Sequence, residues 1–168
     1  MGRAAIRLLA KGQLFVMAAV IFAPHLSNGS DDQHNIQLTV SAESETATTA
    51  NPPIITLTFS NLSQSAVTVV EINDYRDYEL SCINEDGSPV PLTEAGKQLR
   101  EPASFGRRLS RLVEPGKKIE TKLDLGKIFS FSKPGIYNVS AKRYYYTDEK
   151  HPQRLIVSSN TFSFKLTN

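Results

Sequence analysis

Tryptophan is absent from this chain of 168 residues, cysteine occurs once, methionine twice and histidine three times. A lone Cys82 cannot form an intrachain disulfide, which excludes the small secreted scaffolds stapled by bridges. It lies in an alternating apolar run, where a free thiol acts as a small core hydrophobe. The scarcity of histidine leaves little for metal or acid–base chemistry. Beyond residue 29 only His34 and His151 remain, and they form no His-x-x-x-His or similar ligand spacing. No apolar run reaches the roughly 20 residues of a membrane-spanning helix. Gly-rich phosphate loops and Ser-centred elbow motifs are also missing. No cofactor and no catalytic residue are therefore expected.

What is present suits one folded domain. The chain is 40% hydrophobic and 21% charged, which excludes collagen-like and fully disordered chains. Arg3, Arg7 and Lys11 stand in an otherwise uncharged N-terminus, ahead of the ten apolar residues Leu14–Ala23. Pro24 breaks that run, and Ser27-Asn28-Gly29 supplies small residues for a peptidase. A positive start, a short apolar stretch and a small-residue exit are the parts of a secretory signal peptide, assigned to residues 1–29. Cleavage after Gly29 places small residues at the −1 and −3 positions, whereas cleavage after Ala23 would put Ile21 at −3. The alternative is a retained N-terminal membrane anchor. No cysteine follows the apolar run to accept a lipid.

The formal charge of +2 belongs to this precursor. Without residues 1–29 the chain has 16 basic against 17 acidic residues, a net of −1. Residues 30–101 hold 12 acidic and 3 basic residues, and residues 102–168 hold 5 acidic and 13 basic. Such an imbalance produces either a bipolar surface or, when strands of the two halves interleave, mutual neutralisation; the second is expected here. Nucleic acid is not an expected partner of an exported chain, and no stable membrane insertion is expected once the signal is removed.

Beyond residue 29 the chain is punctuated like an all-β protein. An island at Ile36–Val40 alternates, and Ser41–Asn51 reads as a flexible connection. After Pro52-Pro53, Ile55, Leu57 and Phe59 alternate with threonines and serine, the period of a half-buried strand. Ala66–Glu71 reads as the returning strand of a hairpin. Asp77–Ile83 alternates again, and the Asp86-Gly87 pair marks a turn. Residues 88–107 are the least strand-like; Thr93–Arg100 has room for one helical turn, with Gly96 opposing a longer helix. Short strands follow at Leu109–Val113 and Lys118–Leu125. Ile136–Tyr144 is the longest, with Tyr137, Val139 and Ala141 inward. Tyr137, just after Pro134-Gly135, has the position of a tyrosine corner, whose hydroxyl ties down the corner backbone. Tyr145–Arg154 reads as a loop, and Phe162, Phe164 and Leu166 share one face of the last strand. Seven or eight short strands with frequent turn signals give an antiparallel, immunoglobulin-like two-sheet sandwich. Residues 30–52 form an N-terminal segment with the first strand, and residues 53–168 the sandwich core.

The order Ile55-Thr-Leu-Thr-Phe-Ser-Asn61, Asp77-Tyr-Glu-Leu80, Asp86-Gly87, Glu114-Pro-Gly116 and Pro134-Gly-Ile-Tyr137 resembles bacterial secreted immunoglobulin-like domains. The layout is similar to the intracellular proteinase inhibitor family of bacilli and to β-domains accompanying some secreted metalloproteases. The likeness covers residues 52–166 and is best at Leu123-Asp-Leu125, Pro134–Tyr137 and Ser158-Ser-Asn160. These are turn and core residues, so the resemblance implies the fold. The inhibitor family's name implies protease binding, but no reactive-loop motif is present to carry over.

The candidate binding residues are Arg107, Arg108 and Arg111, whose guanidinium forks suit carboxylates and other anions, and Tyr144 and Tyr146. Aromatic residues give large, rigid contact area, and alternation puts Tyr145 inward with Tyr144 and Tyr146 on the other face. Gly135, Tyr137 and Cys82 are structural. Asp31-Asp32, Asp74 with Asp77, and Glu85-Asp86 lack the full spacing of a calcium loop and read as solvated turn charges. The sequons at Asn28, Asn61 and Asn138 matter only in a eukaryotic secretory route, and the bacterial character of the chain argues against a glycan. The expectation is an exported, periplasmic or extracellular, non-catalytic module making protein contacts through its end loops. Alternatives are a protease inhibitor acting through residues 94–107 and a small hydrolase.

Overall fold

A computed structural model describes residues 35–101, 108–147 and 153–168. The expected signal segment 1–29, Asp31, Asp32, His34, Arg107 and His151 lie outside them. The two-sheet all-β sandwich is present, with ten strands among the described residues in place of the seven or eight expected. In chain order they are β1 (Ile36–Ala42), β2 (Thr46–Thr48), β3 (Ile54–Asn61), β4 (Val67–Glu71), β5 (Glu79–Asn84), then helix α1 (Glu94–Arg100). Strands β6 (Leu109–Val113), β7 (Lys118–Asp124), β8 (Gly135–Thr147), β9 (Gln153–Ser158) and β10 (Phe162–Thr167) complete the fold.

The smaller sheet runs β1-β3-β7, antiparallel throughout. The larger is organised around β8. Strands β10 and β9 pair with successive halves of one edge of β8, and β5 and β4 with the other; β6 lies beyond β4. The apolar alternation sets the core. Ile55, Leu57 and Phe59 of β3 are buried, facing Tyr137, Val139 and Ala141 of β8, with Phe164 and Leu166 of β10 beside them. Tyr137 makes the expected corner: its hydroxyl donates to the Lys133 carbonyl at 2.7 Å. Cys82 is buried, and loss of solvent pushes its thiol up to about 12, so it is core as expected.

Four local expectations are corrected. The stretch 41–51 is not wholly a connection, because Thr46–Thr48 pairs in parallel with β10. Ser44 Oγ accepts the Thr46 N–H at 3.0 Å and so turns the chain into that pairing. Strands β3 and β4 do not form a hairpin. Both edges of β3 are taken by β1 and β7, so the chain crosses to the other sheet. Asn61 pins the crossing: its Nδ2 donates to the carbonyls of Ser65 and Val113, each at 2.8 Å, and its Oδ1 accepts from Ser63. This sequon asparagine is wholly buried.

The third correction concerns residues 145–154. Strand β8 continues to Thr147 and pairs with Gln153–Ser158, so 145–147 and 153–154 are ladder, and 148–152 lie outside the described residues. The fourth is α1, a full helix capped by Thr93, whose Oγ1 accepts the Gly96 N–H at 2.9 Å. Gly96 is buried against the Ile128 carbonyl, and there a glycine permits close approach.

Between β9 and β10 the register shifts. Ser158 stands opposite Lys142 and Phe162 opposite Val139, so three residues face two and form a β-bulge. The bulge lets Asn160 reach the smaller sheet, where its amide accepts the Val40 N–H at 2.8 Å and donates to the Val40 carbonyl at 3.1 Å. The acidic and basic halves of the sequence interleave, as the pairs Arg111–Glu71, Lys122–Glu43 and Arg143–Asp77 illustrate.

Candidate functional site

The C-terminal half of β8 places Tyr144 and Tyr146 on the outer face of the larger sheet and Tyr145 in the core, as alternation requires. Tyr145 packs edge-on against Phe59 with ring centroids 6.1 Å apart. The two outward tyrosines were expected at a loop tip. They are instead strand residues, because Tyr144 and Tyr146 pair across the ladder with Ile156 and Arg154. One cross-strand row runs Arg154, Tyr146, Thr68, Leu112 over β9, β8, β4 and β6. The guanidinium of Arg154 lies 3.7 Å from the Tyr144 ring centroid, close enough for a cation–π contact. Glu79 holds the Tyr144 hydroxyl above its ordinary pKa through a hydrogen bond and its charge. Leu112 is 47% exposed and Ile156 48% exposed, large values for strand hydrophobes. The result is a flat aromatic and aliphatic face borne wholly on paired strands.

The arginines do not join it as a group. Arg111 is exposed and pairs with Glu71 at 3.2 Å. Its position in β6 is one residue from Leu112, so it points to the opposite side of the sheet. Arg108 is exposed and borders a cavity beside α1. Of residues 94–107, the loop of the alternative inhibitor reading, 94–100 form α1 and 102–107 lie outside the described residues.

Sequence reading missed Arg143, which is 1% exposed. The signal was available: the inward set Tyr137, Val139, Ala141 extends by twos to residue 143. Its Nη1 donates to the Tyr78 hydroxyl at 2.5 Å, and that hydroxyl lies 3.2 Å from Thr121 Oγ1. The guanidinium sits 4.6 Å from the Tyr78 ring centroid and 5.5 Å from that of Phe59. Asp77 is the counter-charge, at 3.8 Å from Nη2, while its Oδ1 accepts the Ile72 N–H at 2.7 Å. Asp77 was expected as a solvated turn charge. Its side chain is 7% exposed, because the turn backbone and Arg143 both draw it inward. Burial raises its pKa, against the opposing pull of the Ile72 N–H and of Arg143. Asp74, Glu85 and Asp86 are exposed. Among the described residues no three His, Cys, Asp or Glu side chains are placed to hold a metal ion, and no helix is long and apolar enough to cross a membrane.

No family model matches the chain, and no curated protein does. Among solved structures it is similar to a β-glucosidase from Erythrobacter marinus, with 14% identity over 76% of this chain and 16% of that one, at a TM-score of 0.35. A β-glucosidase from Listeria innocua in complex with isofagomine matches with 11% identity over 75% of this chain and 16% of that one, at a TM-score of 0.35. A mutant of the Listeria innocua enzyme with laminaribiose matches with 14% identity over 89% of this chain and 20% of that one, at a TM-score of 0.33. The chain thus spans 16–20% of the length of these enzymes.

Proposed function

We propose that this chain is an exported, non-catalytic module that binds a protein partner through the outer face of its larger sheet. The observation that carries the reading is the strand-borne face of Tyr144, Tyr146, Leu112 and Ile156. Aromatic side chains held by a ladder lose little conformational freedom on binding, so their contact area is converted to affinity at low entropic cost. The N-terminal pattern of residues 1–29 supports export. Placing the contact on a sheet face departs from the end loops that the sequence favours.

The test is capture of partners from the envelope and culture medium of the source cells. Replacing both residues, Tyr144→Ala with Tyr146→Ala, is expected to weaken capture by about tenfold or more, since interface tyrosines each contribute on the order of 1–2 kcal/mol. Arg111→Ala, on the opposite side of the sheet, should leave capture unchanged. Retention of every partner by the double variant would contradict the proposal.

A further inference from the structure

The cavity beside α1 has its own chemistry and adjoins the tyrosine face at Glu79, which lines the cavity and acts on the Tyr144 hydroxyl. It has a volume of about 600 Å³ and lies among β5, α1 and the connection that precedes β5. That is within the usual range of small-ligand sites, about 300–1,000 Å³. Tyr75, Tyr78, Leu80 and Leu99 supply an apolar wall. Four cations border it, Arg76, Arg100, Arg108 and Lys142, against two carboxylates, Glu79 and Glu101.

The way two of these cations are held is informative. Arg76 donates from Nη1 to the Glu101 carbonyl at 2.5 Å and from Nη2 to the Gln98 carbonyl at 2.8 Å. Arg100 Nη2 donates to the Leu80 carbonyl at 3.0 Å. Carbonyl oxygens are neutral, so these bonds fix the guanidinium groups without cancelling their charge. A guanidinium has five N–H donors, so each retains donors for a ligand. Among the described residues none of the four cations makes an ion pair. Fixed guanidinium groups, in a lining whose four cations outnumber its two carboxylates, stand beside an apolar wall and form a site for an amphipathic anion.

We infer that this cavity binds a carboxylate borne on an aromatic or branched aliphatic body. The planar acid group matches a guanidinium fork, and the body covers Tyr75, Tyr78, Leu80 and Leu99. The same chemistry occurs in a free organic acid and in the C-terminal residue of a peptide.

The chain without residues 1–29, isotopically labelled, is titrated with phenylacetate and with phenylacetamide, followed by amide and methyl NMR shifts. A short peptide ending in phenylalanine, with free or amidated C-terminus, forms a second arm that distinguishes the two sources. The acid forms should shift Leu80, Ser81 and Leu99 and bind about tenfold more tightly than the amides, the worth of one charged hydrogen-bonding pair. Lys142→Gln and Arg108→Gln should each weaken the acid by about threefold or more, and raising salt from about 0.02 M to about 0.3 M should weaken it further. The melting temperature of each variant serves as the folding control. Equal binding of acid and amide, absence of shifts at the cavity, or shifts confined to Tyr144 and Tyr146 would overturn the inference.

Discussion

Arg143 sits where an apolar residue would complete the inward face of β8, and it occupies that place as a flat cation between rings. Among the described residues its Nε and Nη2 have no hydrogen-bond partner. The rings of Tyr78 and Phe59 offset part of the desolvation, at about 1–2 kcal/mol per desolvated cation–π contact. Asp77 supplies the counter-charge but is itself held above its ordinary value of 3.8, chiefly by burial. An acid whose folded pKa is raised stabilises the fold below its unfolded pKa and loses that contribution as pH rises through the folded one. Asp77→Asn keeps an acceptor for the Ile72 N–H and removes the titration. In urea unfolding the variant should therefore gain stability relative to the parent as pH rises from 3.8 toward neutrality. A relative loss over that window would show that attraction to Arg143 outweighs burial. The inward direction of residue 143 was legible in the alternation of Tyr137, Val139 and Ala141. That an arginine would tolerate it was not, because its partners come from β3, β7 and the turn before β5, all distant in sequence.

At the scale of elements, the strands were legible where period two was clean, as in β3 and β8, and obscured where partners decide. Thr46–Thr48 has no apolar alternation and becomes a strand only because β10 offers an edge. The crossing after Asn61 reads as a hairpin until both edges of β3 are known to be occupied. Helix α1 shows the same override in a single residue. Gly96 argues against a helix by propensity, yet it lets α1 approach the Ile128 carbonyl, which a Cβ would penetrate. Gly96→Ala gains about 1 kcal/mol in helix propensity. The clash is with backbone, so overpacking at the upper end of about 1–3 kcal/mol should dominate. A net destabilisation of about 1–2 kcal/mol in urea unfolding is expected; a stabilised variant would mean that α1 stands farther from Ile128.

At the scale of the molecule, composition and turn signals were enough for a two-sheet all-β domain, since alternation and breaker residues are local properties. Strand order and the joining of Tyr144, Tyr146, Ile156 and Leu112 into one face depend on ladder pairings between distant segments. The sequence marked the two tyrosines but not the leucine and isoleucine that complete their surface. It also grouped Arg111 with them, although adjacent positions of a strand face opposite ways. The binding role assigned to this face is tested most directly by site-specific photo-crosslinking in the source cells. A photoreactive side chain replaces Thr68, between Tyr146 and Leu112 on the larger sheet, or Glu120, exposed on the outer face of the smaller one. Protein adducts from position 68 and none from position 120 are expected; adducts from position 120 with none from position 68 would contradict the assignment.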